Sequence, residues 1–241
     1  MRVGILLAAL ALTVGNLPQT RAADANTATK HKPPTVLLIG ASGMIGSRIL
    51  KEAVSRGHYV IAASRHPEKI ASGPDIHPIK LDATDQQAFI DEARHADVIV
   101  LATSPRGGGD PLAEAKAVSD AAIATARATH KRLVVVGGAG SLNYPDGRHV
   151  VDTLPAAYQG EARAMRNFLD TLKTTDINWT FFSPPFSIAP GTRTGKFRLG
   201  TTTLLTDDKG ESRISAEDYA DALVTELETP THVRAQMTVA Y

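Results

Sequence analysis

The chain has 241 residues, 43% hydrophobic and 21% charged, with 26 basic against 25 acidic side chains and a formal net charge of +1. That balance gives no field to hold nucleic acid or an anionic membrane. The absence of cysteine excludes disulfides, thiolate metal sites and a thiol nucleophile, and the eight histidines lack helical metal-site spacing, so no metal is expected.

The first 25 residues differ from the rest. Arg2 precedes an apolar run from Val3 to Val14, which Asn16, Leu17 and Pro18 break. Ala23-Asp24-Ala25 then forms a small-x-small cleavage signature, and Thr20-Arg21-Ala22 offers a second one. This order predicts a signal peptide over 1–25 and export to the periplasm, with a cytoplasmic location as the alternative. The run is shorter than the roughly 20 residues of a spanning helix, so no stable membrane span is expected. Asn26 to Pro34 is polar, ends in Pro-Pro and reads as a linker.

From Thr35 onward, short apolar runs alternate with longer amphipathic stretches. Val36 to Ile39 is wholly apolar, as in a strand buried on both faces. A helix is expected over Gly43 to Arg56, ended by Gly57. Further strands are expected at Tyr59–Ala63, Ile76–Leu81, Asp97–Leu101, Arg132–Val136 and Asn178–Phe182. Helices are expected at Asp85–Ala93, Pro111–Thr129 and Tyr158–Lys173, with a short one at Pro67–Ala71. Toward the C-terminus, Lys196–Leu199 and Thr203–Leu205 read as a small strand pair. Ser215 and Asp218 resemble a capping box opening a helix, and Arg234–Val239 reads as a last strand. Repeated strand–helix alternation predicts one α/β domain over 35–241, a Rossmann-type doubly wound parallel sheet with a small C-terminal extension on the substrate side.

Gly40-Ala41-Ser42-Gly43-Met44-Ile45-Gly46 lies between the first strand and the first helix. Gly40 permits the tight turn, Gly43 allows close backbone approach to a pyrophosphate, and Gly46 lets helix and sheet pack. The phosphates then lie over the helix N-terminus, where free N–H groups favour anions. The second strand ends in Ser64-Arg65, where an NAD-selective site carries an acid. A hydroxyl and a guanidinium suit a 2′-phosphate, so NADP(H) is favoured over NAD(H). Asp82, followed by Ala83, is an acceptor for the adenine amino group or a capping loop carboxylate. Ala102-Thr103-Ser104, Gly137-Gly138 and Ser183-Pro184 are small or tight residues at carboxyl strand ends, the last pair beside the nicotinamide.

Four stretches carry a wider resemblance: LLIGASGMIGSRILKEAVSRGH at 37–58, RLVVVGGAGSL at 132–142, NWTFFSPP at 178–185, and RTGKFRLG with SRISAEDYADALVTELETP near the C-terminus. Together they resemble the atypical short-chain dehydrogenases, nearest to the NADH-flavin reductase group related to NmrA-like proteins and biliverdin-IXβ reductase. The resemblance covers Thr35 to Tyr241. It implies a reduced nicotinamide cofactor and a small-molecule acceptor such as FMN, FAD or another conjugated ring, in a monomer or small homo-oligomer. The pattern departs from short-chain dehydrogenases at the proton-transfer triad. Gly138 stands in the serine slot, and Ala162 stands four residues after Tyr158, where lysine belongs. Tyr158 and Ser141 are the candidate catalytic groups, with Tyr144 and His149 nearby. Hydride transfer to a flavin asks mainly for stacking and exclusion of water. A non-catalytic dinucleotide sensor of the NmrA-like kind is the alternative, and a sugar-nucleotide epimerase or dehydratase a third reading.

Overall fold

The strands form where apolar residues run unbroken. β1 (Val36–Ile39), β2 (Val60–Ser64), β4 (Val98–Leu101), β5 (Arg132–Val136) and β6 (Trp179–Ser183) are buried at every position. Such burial on both faces is what helices on either side of a parallel sheet impose. This computed structural model describes residues 33–241; the leader and the linker through Lys32 lie outside the described residues.

With β3 (Ile76–Lys80), β8 (Arg198–Gly200) and β10 (Ala235–Ala240), these strands make an eight-stranded sheet ordered β3-β2-β1-β4-β5-β6-β10-β8. All pairs are parallel except β10 with β8. Alternation along each strand divides the core in two. Leu37, Ile39, Leu133 and Phe181 point to the face covered by α2 (Gln86–Ala93), α3 (Pro111–Thr129) and α4 (Ala156–Lys173). Val36, Leu38, Val134 and Phe182 point to the face covered by α1 (Met44–Ser55) and α5 (Ala216–Glu228). There the buried Tyr219 ring stacks on Phe182 at 4.3 Å, and its hydroxyl donates to the Phe182 carbonyl at 2.6 Å. Burial holds that hydroxyl well above the ordinary tyrosine range.

The expected capping box is present: the Asp218 N–H donates to Ser215 Oγ at 3.0 Å and opens α5. The C-terminal strand pair is corrected. Arg198–Gly200 pairs with β10 and not with 203–205, while Thr203 makes a lone bridge to Asn143. Two local interactions explain this. Leu204 buries itself with Leu142 and Val150, and Arg198 donates to the carbonyls of Thr206 and Tyr241 at 2.6 Å each. A two-stranded parallel sheet, β7 (Ser187–Ala189) with β9 (Arg213–Ser215), completes the extension. The expected short helix at 67–71 is a 3-10 turn over Pro67–Lys69.

The strand order fixes where a ligand belongs. The chain leaves β1 toward β2 on one side and reaches β4 on the other. Helices therefore diverge from a crevice at the carboxyl ends of β1 and β4, the switch point where open α/β sheets bind ligands.

Candidate functional site

A cleft of about 550 Å³ opens at that switch point. Its floor is the glycine turn. Gly40 has φ +85°, which only glycine adopts freely, and a Cβ there would overlap the Ala102 carbonyl at the end of β4. A Cβ on Gly46 would overlap the Gly40 carbonyl, so that glycine seats α1 against the turn. Gly43 is the N-cap of α1 and makes no side-chain capping bond. By contrast, Asp85, Asp110 and Ser215 cap α2, α3 and α5 with side-chain oxygens. The first N–H groups of α1 are thus left without a side-chain acceptor, beside a cleft lined by Gly40, Ser42 and Gly43. That is the cradle an anionic diphosphate needs.

Ser64 ends β2 and Arg65 follows it on the next wall. Ser64 Oγ bonds Ser42 Oγ at 2.7 Å and accepts from the His66 N–H at 3.1 Å, which ties the glycine turn to the end of β2. Arg65 is exposed on the cleft wall and has no ion-pair partner among the described residues. Asp82 follows β3. Its Oδ1 accepts from the Thr84 N–H at 2.9 Å and the Thr84 hydroxyl at 2.8 Å. Those two bonds, and the nearby Arg65 charge, hold its carboxyl below the ordinary range against a smaller opposing effect of burial. Oδ2 makes no hydrogen bond among the described residues, so one oxygen caps the loop while the other can accept from a ligand. Leu81, Ala83, Ala102, Ala115 and Val118 supply apolar walls suited to a flat base.

Of the residues expected to hold a dinucleotide, the cleft thus brings together Gly40, Ser42, Gly43, Ser64, Arg65, Asp82, Ala83, Ala102, Thr103 and Ser104. Met44 stands exposed at the first position of α1, Ile45 packs on the α1 side of the core, and Gly46 lies behind the turn. Gly137 packs under the Phe181 ring, Gly138 against Met165, and Pro184 is buried. These three and Ser183 are not among the residues lining the cleft. Ser183 Oγ is enclosed, bonded to Ser141 Oγ at 2.8 Å and to Gln236 Nε2 at 2.9 Å. The Ser141 hydroxyl also donates to the Gly138 carbonyl at 2.6 Å, so its hydrogen bonds run inward. Tyr158 is 64% exposed on the first turn of α4. Tyr144 bonds Thr153 at 2.8 Å, and exposed His149 bonds Asn143 at 2.7 Å.

The cleft also takes residues that spacing alone does not single out. The loop after β4 crosses toward α3 and α4. Arg106 donates to both oxygens of Glu161 on α4 at 2.9 Å, and the N–H groups of Gly107 and Gly109 donate to Glu114 on α3 at 2.9 and 2.8 Å. The Gly107-Gly108-Gly109 run is legible as a loop, but the carboxylates that hold it come from distant helices. On α4, Ala162 occupies the place of the short-chain dehydrogenase lysine. A Cβ added to Gly140 would lie 2.6 Å from Ala162 Cβ, so the loop after β5 packs closely on α4 there and position 140 takes glycine.

Residues 40–230 match a family profile described as NAD(P)H-binding. The chain belongs to the NAD(P)H-binding family. The resemblance carried by the glycine turn and the C-terminal stretches is thereby borne out. Solved structures extend the relation of this NAD(P)H-binding protein over most of its length. A Burkholderia pseudomallei protein, provisionally named as exported, is 40% identical with a TM-score of 0.78, covering 86% of this chain and all of its own. A Bacteroides thetaiotaomicron protein, provisionally named as an epimerase, is 35% identical at 0.80 over 87% of this chain and 98% of its own. A Streptococcus pneumoniae protein, provisionally named as an NADH-flavin reductase, is 32% identical at 0.77 over 86% and 99%.

Proposed function

We propose that the protein is an NADP(H)-dependent reductase that passes hydride to a flavin or a similar conjugated acceptor. The observation that carries the reading is the Gly140–Ala162 contact. Ala162 there stands in place of the lysine that alcohol–ketone chemistry uses to activate tyrosine, beside a cleft lined by the glycine turn, Arg65 and Asp82. An acceptor that is itself an electron sink fits such a site, because positioning then outweighs proton transfer. When bound, the reduced nicotinamide supplies a hydride; NADPH, a proton and the oxidised acceptor give NADP+ and the two-electron-reduced acceptor.

The chain's own groups divide the remaining work. The turn from Gly40 to Gly46 and the N-terminus of α1 hold the diphosphate, with Met44 and Ile45 supplying main-chain donors. Arg65, with Ser64 beside it, takes the 2′-phosphate through a two-pronged guanidinium contact. Asp82 Oδ2 accepts from the adenine amino group, with Ala83 against the base. Ala102, Thr103 and Ser104 lie along the middle of the dinucleotide, and Gly137, Gly138, Ser183 and Pro184 back the nicotinamide end. Seven large apolar side chains are exposed among the described residues. Four of them, Met44, Leu112, Tyr158 and Phe186, stand on first helical turns or strand ends at the carboxyl edge of the sheet. Exposed apolar side chains at that edge suit a flat ring stacked over the nicotinamide. Tyr158 is the exposed hydroxyl there and serves as proton donor to the reduced acceptor. Ser141 acts through the Ser183–Gln236 network.

Nicotinamide absorbance tests the reading: NADPH alone stays reduced, and adding FMN oxidises it at a rate proportional to protein. Binding without oxidation supports a dinucleotide sensor instead, a reading favoured by the inward-facing Ser141 hydroxyl. Epimerase chemistry is disfavoured by the same Ala162 contact.

A further inference from the structure

The groups facing the cleft outnumber those a dinucleotide accounts for. Under the reading above, the diphosphate takes the α1 N–H groups, the 2′-phosphate takes Arg65, and the adenine takes Asp82. One cation that lines the cleft has no role: Arg106, on the loop after β4. Arg65 follows β2 and Arg106 follows β4, on opposite sides of β1 in the sheet, and the Arg106 guanidinium reaches Glu161 near the start of α4.

Three observations locate that corner. Arg106 is forked onto Glu161, which is three residues beyond Tyr158. Pro111, the residue before Leu112, lies 3.5 Å from where a Cβ on Gly160 would stand, so the first turns of α3 and α4 touch. Leu112 and Tyr158 on those turns are 42% and 64% exposed. The touching first turns of α3 and α4, whose later turns line the cleft, therefore carry two exposed side chains, Tyr158 among them close in sequence to the carboxylate that holds the guanidinium.

That guanidinium is held by one carboxylate and faces water. Its side chain is 73% exposed, and its one ion-pair partner among the described residues is a single carboxylate. The contact is a two-pronged fork onto a carboxylate that is 29% exposed, so an acceptor's anion has to replace a bidentate pair of the same kind. A phosphate or carboxylate offers the same fork a bidentate, charge-assisted contact in a site that a flat ligand would partly close to water.

Resting on the reductase reading, we infer that Arg106 is the specificity residue for the acceptor. It turns from Glu161 to an anionic tail on a ring that lies over Leu112 and Tyr158, so the protein prefers a phosphorylated or carboxylated conjugated acceptor to a neutral one. Glu161 is the counter-ion that parks the guanidinium until that acceptor arrives.

The test compares FMN with riboflavin, which share a ring and differ in the phosphate. The expected wild-type kcat/KM for FMN exceeds that for riboflavin by about tenfold, the size of one charge-assisted contact. Arg106→Gln removes that preference by slowing FMN and not riboflavin, with NADPH affinity kept within about twofold. Glu161→Gln, which frees the guanidinium without deleting it, moves FMN the other way and lowers its KM. The inference is overturned if the wild type uses both flavins equally. It is overturned too if Arg106→Gln slows both alike or weakens NADPH, since Arg106 then serves the dinucleotide. If NADPH binds but neither flavin is reduced, the reductase reading falls by itself. Quenching of flavin fluorescence then decides Arg106: FMN binding that exceeds riboflavin binding and is lost in Arg106→Gln upholds it, and equal or absent binding overturns it.

Discussion

Gly140 and Ala162 meet where the loop after β5 crosses α4, and Ala162 is 8% exposed, so a lysine at 162 has to displace its neighbours. Ala162→Lys restores the tyrosine–lysine spacing on paper and overpacks the structure in practice. Such insertions cost about 1–3 kcal/mol, so the thermal midpoint is expected to fall by roughly 5 °C for a chain of this size. No carbonyl reductase activity is expected to appear, and differential scanning fluorimetry with an alcohol–ketone assay checks both. Gly46→Ala should act more locally. Its methyl group presses on the Gly40 carbonyl and opens the phosphate turn, so NADPH affinity is expected to drop about tenfold or more in a calorimetric titration, equivalent to roughly 1.4 kcal/mol. At this scale the glycine spacing was readable because each glycine answers a backbone requirement within seven residues. Arg106 and Glu114 were not, because their partners lie 55 and 7 residues away on other elements and nothing local marks them. Ser141 shows the converse: a hydroxyl in a suggestive sequence position whose bonds run into the fold.

The elements owe their placement to burial, and their ends to polar ties that can be titrated. At the start of β5, Arg132 is 8% exposed and pairs with Glu226 of α5, itself 3% exposed. Burial alone would push the Glu226 carboxyl up. Hydrogen bonds from His232, Thr231, the His232 N–H and Arg132 outweigh it and hold the group at about 2, against an ordinary 4.5. A carboxyl depressed in the folded state adds stability above its unfolded value, and that stability disappears as pH falls toward the folded value. Denaturant midpoints are therefore expected to be flat above about pH 5 and to fall toward pH 2, with Glu226 contributing on the order of 3 kcal/mol. Glu226→Gln should lower stability at neutral pH by about 3 kcal/mol, because it strands Arg132 in the core, and should flatten that acid slope. An unchanged slope contradicts the assignment. The five strands buried at every position and the four long helices were legible because a strand buried on both faces and an amphipathic helix leave different apolar periods. The C-terminal extension was not. β7 and β9 have three residues each, too few for a period, and β8 takes β10 as its partner through contacts from Arg198 that no pattern within 196–205 reveals.

For the whole molecule, strand alternation was enough to anticipate where the cleft opens, since a doubly wound order has one switch point and the glycine turn lies on it. The nicotinamide end was less legible, because small residues at a strand end serve tight packing as readily as ligand approach; Gly137 under Phe181 shows the packing use. The leader pattern yields its own prediction. Full-length protein expressed in a Gram-negative host is expected in the periplasmic fraction with Asn26 as its first residue, as read by intact mass. A cytoplasmic product beginning at Met1 contradicts it. The central claim is that the cleft holds NADP(H) through the glycine turn and Arg65. Titrating the wild type and Arg65→Gln with NADPH and NADH, followed by nicotinamide fluorescence, tests it most directly. The account predicts NADPH binding at least about tenfold tighter than NADH, with Arg65→Gln bringing the two together by weakening NADPH alone. Absence of binding, or a preference that survives the loss of Arg65, contradicts it.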